Sequence, residues 1–139
     1  EARLEAYEMA FKMQTEATDA FDISKEPVKV REKYGNSAQG RQMLITRRLL
    51  EKGVRFVQVW AGGWDHHSNL EAALRGKATE IDGPAGALIQ DLKDRGMLDS
   101  TLVMWGGEFG RTVTSDNNGG AGAGRDHNSK AFSHWLAGG

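Results

Sequence analysis

The spacing of apolar positions changes along the chain, and each change predicts an element. Leu4, Tyr7 and Phe11 recur at helical intervals within residues 1–19, with Met9 and Met13 adjoining, which predicts an amphipathic helix. A second helix is expected in FDISKEPVKVREKYGN. Ser24 is its candidate N-cap, Pro27 suits an early helical position, and Gly35 suits the stop. A third runs over about 38–52, with Met43, Leu44, Leu49 and Leu50 apolar and Gly53 as terminator. VRFVQVW, residues 54–60, is a β-rich run bounded by glycines and reads as a strand. Residues 69–95 carry helical signals with one interruption at Gly83-Pro84, so Pro84 is expected to start a fresh helix bearing Leu88, Ile89 and Leu92. TLVMW (101–105) is short and continuously apolar, the pattern of a buried strand. AFSHWLAGG reads as a third strand, after a loop from 106 to about 128 that holds seven of the eighteen glycines.

Strands 54–60 and 101–105 would be joined by a helical crossover. That connection predicts the α/β class, with a mostly parallel sheet flanked by helices and right-handed connections, in one domain over residues 1–139.

Composition narrows the partners more than the fold. The formal net charge is −1, so no bulk field draws the chain to nucleic acid or to an anionic membrane. No apolar run approaches the ~20 residues of a membrane span. With no cysteine, disulfides and thiolate metal sites are excluded. The opening EARLEAYEMAF is charged and helical rather than a signal peptide, and Arg47-Arg48 sits within a helical pattern rather than in an export signal. A start without methionine and an end at WLAGG lead to the expectation that this is a piece of a longer protein.

Three polar clusters fall at or near the expected strand ends, where open parallel sheets bind ligands. Asp65, His66, His67 and Asn69 follow the first strand, Glu108 and Arg111 follow the second, and Arg125, Asp126 and His127 precede the third. Aspartate with histidine and no cysteine suits Zn²⁺, Mn²⁺ or Fe, and oxygen-rich variants suit Mg²⁺ or Ca²⁺. Asp65 and His67 are two residues apart, so in extended backbone both side chains face one way and His66 faces another. Arg111 and Arg125 have the forked donors that clamp phosphate or sulfate. Each residue alone also has a plain reading. Asp65 serves as a turn residue, His67 as a hydrogen-bonded structural histidine, and Glu108 with Arg111 as an ordinary i,i+3 ion pair. His134 reads as structural, and the tryptophans as packing, with Trp64 placed to wall a site. Their joint occurrence is what points to chemistry.

FDISKEP, RRLLEKGVRFVQV, GWDHHSN, DLKDRGMLDSTLVMWGGEFGRT and GRDHN followed by FSHWLAGG resemble the sulfatase-like domain-of-unknown-function family numbered 1501, grouped with the alkaline phosphatase superfamily. The resemblance runs over almost the whole chain. It implies an alkaline-phosphatase-like fold of which this is the C-terminal portion. It also implies a metal-dependent hydrolase of phosphate or sulfate esters, acting on a small-molecule or polysaccharide ester. The implied metal residues are Asp65, His67, Glu108 and His127, with Asp126 a further candidate and His66 and Asn69 possible ones; Arg111 and Arg125 would meet the substrate anion. The cofactor would be a divalent metal, with Zn, Mn, Mg and Ca not distinguished. Glu108-Phe109 departs from the Asp-His of many relatives at the second site, which argues against a full two-metal centre, and His66 in the WD-x-H position leaves the two histidines open to exchange of roles. No residue matches the serine or threonine nucleophile, so the chain alone is expected to bind metal weakly and to be inactive. Export to the periplasm or beyond is implied by resemblance only. The alternative is a non-catalytic binding or surface module that keeps the fold.

Overall fold

The structure is a computed structural model that describes residues 2–16, 18–115 and 119–139. Four α-helices dominate: α1 (Ala2–Glu16), α2 (Val28–Tyr34), α3 (Ala38–Glu51) and α4 (Leu70–Asp94). Four short strands follow: β1 (Val103–Gly106), β2 (Gly110–Arg111), β3 (His127–Asn128) and β4 (His134–Ala137). The expected apolar positions Met9 and Met13 lie outside the described side chains. Among the described residues, no helix is long and apolar enough to cross a membrane.

The helix boundaries follow local chemistry. Pro27 precedes α2 at φ −52°, close to the helical value its ring favours, and Gly35 ends it at φ +76°, where a side chain would be strained. The Ser37 hydroxyl accepts from the Gly40 N–H at 3.0 Å and caps α3. Ser24 has a different part from the expected N-cap of α2: it donates to the Asp22 carboxylate at the start of a short 3-10 turn, Ile23–Lys25.

Three expectations are corrected. First, the fold is not an alkaline-phosphatase-like α/β arrangement with a mostly parallel sheet flanked by helices. It is helix-rich, with only two antiparallel two-stranded sheets among the described residues, β1 with β4 and β2 with β3. An apolar run reveals that a segment is extended but not which way its partner runs; the connection decides that. Here the chain leaves β1, forms the β2–β3 pair, and so returns reversed to lie against β1. Second, residues 54–60 have strand propensity but form no strand. A strand requires a hydrogen-bonded neighbouring strand, and this segment bonds to α3 instead: the Val54 N–H donates to the Leu49 carbonyl at 3.1 Å, and the Trp60 carbonyl accepts from Gln39 Nε2 at 3.3 Å. Third, Gly83-Pro84 does not interrupt α4, which runs through it for 25 residues. Proline removes one helical hydrogen bond but keeps a helical φ, and burial of its ring helps to offset the loss.

The chain divides into two compact units, residues 1–60 with 83–88, and residues 61–82 with 89–139. The first is built around Ala20, Tyr34, Leu44 and Leu88 and contains a buried ionic cluster. Glu26 receives Arg47 Nη2 at 2.7 Å and also Arg48 Nη1. Arg47 Nη1 reaches Glu51 at 2.6 Å, while Arg48 donates to the carbonyls of Ala20 (3.0 Å) and Asp19 (2.8 Å). These bonds tie α3 to the 3-10 turn at Thr18–Phe21 and to the residue before Pro27. The second unit buries Ile81 and Leu92 and stacks Trp105 of β1 on Trp135 of β4, with ring centroids 6.3 Å apart.

Burial pushes the Glu26 carboxyl upward, but hydrogen bonds and charge from Arg47 and Arg48 outweigh this and hold it below the ordinary 4.5. The stabilisation from this group is therefore complete above pH 4.5 and lost as pH falls through the lower folded value. Glu26→Gln should lower unfolding stability at pH 7 by roughly 3 kcal/mol, because two guanidinium groups lose their charged partner. Urea titrations across the acid range should show that the variant also loses this component of the wild-type decline below pH 4.5.

Candidate metal centre

All the residues singled out by sequence lie in the second unit, and short antiparallel pairings bring a subset of them together. The segment before α4 pairs with the end of the glycine-rich loop. Ser68 and Ala123 form an antiparallel bridge, the Asn69 N–H donates to the Gly122 carbonyl at 2.8 Å, and the Arg125 N–H donates to the His66 carbonyl at 3.0 Å. The β2–β3 register then sets Arg111 opposite His127. Gly124 makes the first pairing possible. A Cβ there would lie 2.0 Å from the carbonyl carbon of His67, closer than any side chain tolerates.

Asp65, His67 and His127 converge on one point. Asp65 Oδ1 lies 3.0 Å from His67 Nε2 and 2.8 Å from His127 Nε2, and the two nitrogens are 3.3 Å apart. Arg111 Nη1 donates to the same oxygen at 2.7 Å. The cluster is open to solvent, with side-chain exposures of 62% for Asp65, 46% for His67 and 44% for His127. The His127 ring rests against Phe109, with centroids 4.7 Å apart, and Trp64 meets Trp105 edge-on at 5.9 Å. Hydrogen bonds from His127 and Arg111, with the nearby charges of His67 and Arg111, outweigh desolvation and hold the Asp65 carboxyl down at about 2. Asp65 is thus a carboxylate throughout the ordinary pH range.

Geometry tests whether a metal fits. Donor atoms ~2.1 Å from a common ion stand about 3.0 Å apart in octahedral geometry and about 3.4 Å apart in tetrahedral geometry. The observed edges of 2.8, 3.0 and 3.3 Å match that scale, and the three side chains are the metal-type cluster found among the described residues. Two imidazoles and one carboxylate suit Zn²⁺, Mn²⁺ or Fe²⁺ better than the all-oxygen shells of Ca²⁺, and they leave positions open for another ligand.

The remaining candidates are placed otherwise. Glu108 is exposed in the turn between β1 and β2 and is not part of the cluster. The Asp126 carboxylate accepts the N–H of its neighbour His127 at 2.7 Å and is also outside the cluster. His66 Nε2 is buried without a hydrogen-bond partner among the described residues. Asn69, at φ +49°, is the N-cap residue of α4 without a side-chain cap bond. The Arg125 guanidinium binds the carbonyls of Thr112 (3.4 Å) and Val113, joining the two sides of the loop. His134 Nε2 lies 3.2 Å from the Gly107 carbonyl. Sequence reasoning missed the packing of Phe109 on His127 and the role of Gly124. The glycine's place just before GRDHN's arginine was the available signal for the latter, since a chain needs such a residue where backbone meets backbone.

No curated protein and no solved structure matches the chain. Residues 1–139, its full length, match the family described as a protein of unknown function (DUF1501), and the chain belongs to that family.

Proposed function

We propose that Asp65, His67 and His127 hold one divalent metal ion, and that this centre serves the hydrolysis of a phosphate or sulfate ester. The observation that carries the reading is the triangle of donor atoms, 2.8 to 3.3 Å on a side, drawn from segments sixty residues apart. Its open coordination positions and the neighbouring Arg111 are the features an oxyanion would need. The resemblance to sulfatase-like proteins of the alkaline phosphatase superfamily favours esters of phosphate or sulfate over other substrates.

A bound ion would act as a Lewis acid toward a phosphoryl or sulfuryl oxygen. The chain's own residues supply the setting. Asp65 brings a fixed negative charge to the ion, and the two rings bring neutral nitrogen donors. Phe109 limits how far the His127 ring swings, and the Gly124 contact fixes the backbone of His67. Asp65, His67 and His127 supply ligands for one such ion. The non-catalytic module remains the alternative, favoured by the Glu108-Phe109 departure.

Titration calorimetry with zinc or manganese chloride should give one site per chain. Asp65→Asn and His67→Ala should each weaken it at least ~100-fold, since even groups that only orient metal ligands cost 10–100-fold when removed. Unchanged metal content in His67→Ala would remove the assignment. Inorganic phosphate or sulfate should bind the metal-loaded chain and not the metal-free one; a loaded chain indifferent to both anions would leave the binding module in place of the hydrolase.

Gly124→Ala should disturb the same site from the backbone. The added methyl group meets the His67 peptide, so the variant is expected to lose roughly 2 kcal/mol of stability, measured by urea unfolding, and to bind zinc more weakly than wild type.

A further inference from the structure

We infer that Arg111 is an exchangeable internal cation: its guanidinium, bonded to Asp65 Oδ1, competes with a metal for that oxygen and, when a metal binds, turns to an incoming oxyanion. The inference rests on the metal reading above and deepens it.

Three nitrogens crowd one oxygen. Arg111 Nη1 is the nearest to Oδ1, at 2.7 Å, ahead of His127 Nε2 at 2.8 Å and His67 Nε2 at 3.0 Å. A carboxylate oxygen offers two lone-pair directions, so a cation entering here meets an oxygen already bonded to a guanidinium. An ion at ~2.1 Å from Oδ1 would also lie within about 5 Å of Arg111 Nη1, whatever its direction, and two positive charges that close repel. The guanidinium has somewhere else to bond. Arg111 Nη2 lies 3.4 Å from the Trp64 carbonyl, and Nη1 lies 3.4 Å from the Arg125 carbonyl. These long contacts keep the side chain at the site when its bond to Asp65 loosens. It is partly covered, at 24% exposure, so the freed donors face the open cluster with a fork suited to phosphate or sulfate.

A merely structural salt bridge would give the opposite dependence on the arginine. Were Arg111 only holding Asp65 in place, its removal would weaken metal binding. Under competition, removal strengthens it.

The test is calorimetric titration of zinc chloride into the full chain, as wild type, R111Q and R111K. R111Q should bind zinc about tenfold more tightly, given a charge near a solvent-screened surface. R111K, which keeps the charge but loses the fork, should fall between the two. Inorganic phosphate affinity of the zinc-loaded chain should drop in R111Q. Unchanged or weaker zinc binding in R111Q, with wild type binding normally, overturns the exchange and makes Arg111 a positioning residue. Absence of zinc binding in wild type and R111Q alike removes the metal reading itself. A second measurement needs no variant: the guanidinium NMR signals of Arg111 in the wild type should shift as zinc is added, and signals that stay fixed at saturation refute the exchange.

Discussion

One carboxylate oxygen organises the second unit. Asp65 Oδ1 accepts from Arg111 and faces two imidazole nitrogens, and so joins the segment before α4, strand β2 and strand β3 at a single atom. Nothing in that arrangement is deeply buried. It is therefore held by backbone pairing around it rather than by a hydrophobic core beneath it. The Ser68–Ala123 bridge and the β2–β3 register place its parts, and Gly124 permits the two backbones to touch. An exposed carboxylate with three converging nitrogens costs little desolvation, and the same openness leaves it accessible to ions and anions.

The first unit solves a different problem. Arg47 and Arg48 are buried beside Glu26, so their charges are matched inside rather than left in water. Such a cluster contributes less net stability than an apolar one of equal volume, but it is sensitive to the loss of any one member. Geometry, not strength, is what it supplies: forked donors reach backbone carbonyls at Asp19 and Ala20 and fix the irregular turns that precede α2.

Helix stops were legible where they depend on near neighbours, while the expected cap at Ser24 and break at Pro84 were not met. Pro27, Gly35 and Gly53 are local signals, and α2 and α3 end near where those residues place them. Sheet topology was not legible, because it depends on partners far away. VRFVQVW has the composition of a buried strand and forms none, and TLVMW is a strand whose neighbour runs antiparallel rather than parallel. The site divides along the same line. The i,i+2 spacing of Asp65 and His67 speaks to a shared side in extended backbone, and both side chains do lie within reach of one point. Which distant residue joins them was set by a loop pairing, not by the ends of parallel strands. Glu108, two residues beyond β1, is exposed in the turn and is not one of the three clustered side chains.

The make-up of the cluster bears on chemistry. Asp65, His67 and His127 make up the ligand set of one ion, and Glu108 and Asp126 are not among those three. A single ion with two imidazoles and one carboxylate carries less charge to an ester dianion than a pair would. A guanidinium already at the site is the natural complement, because it adds positive charge without a second ligand shell. The bond from Arg111 to Asp65 and the role proposed for it beside an oxyanion then rest on the same property, a fork of donors that calls for an oxygen to satisfy it. Under the proposed exchange, a metal at Asp65 would decide which oxygen that is.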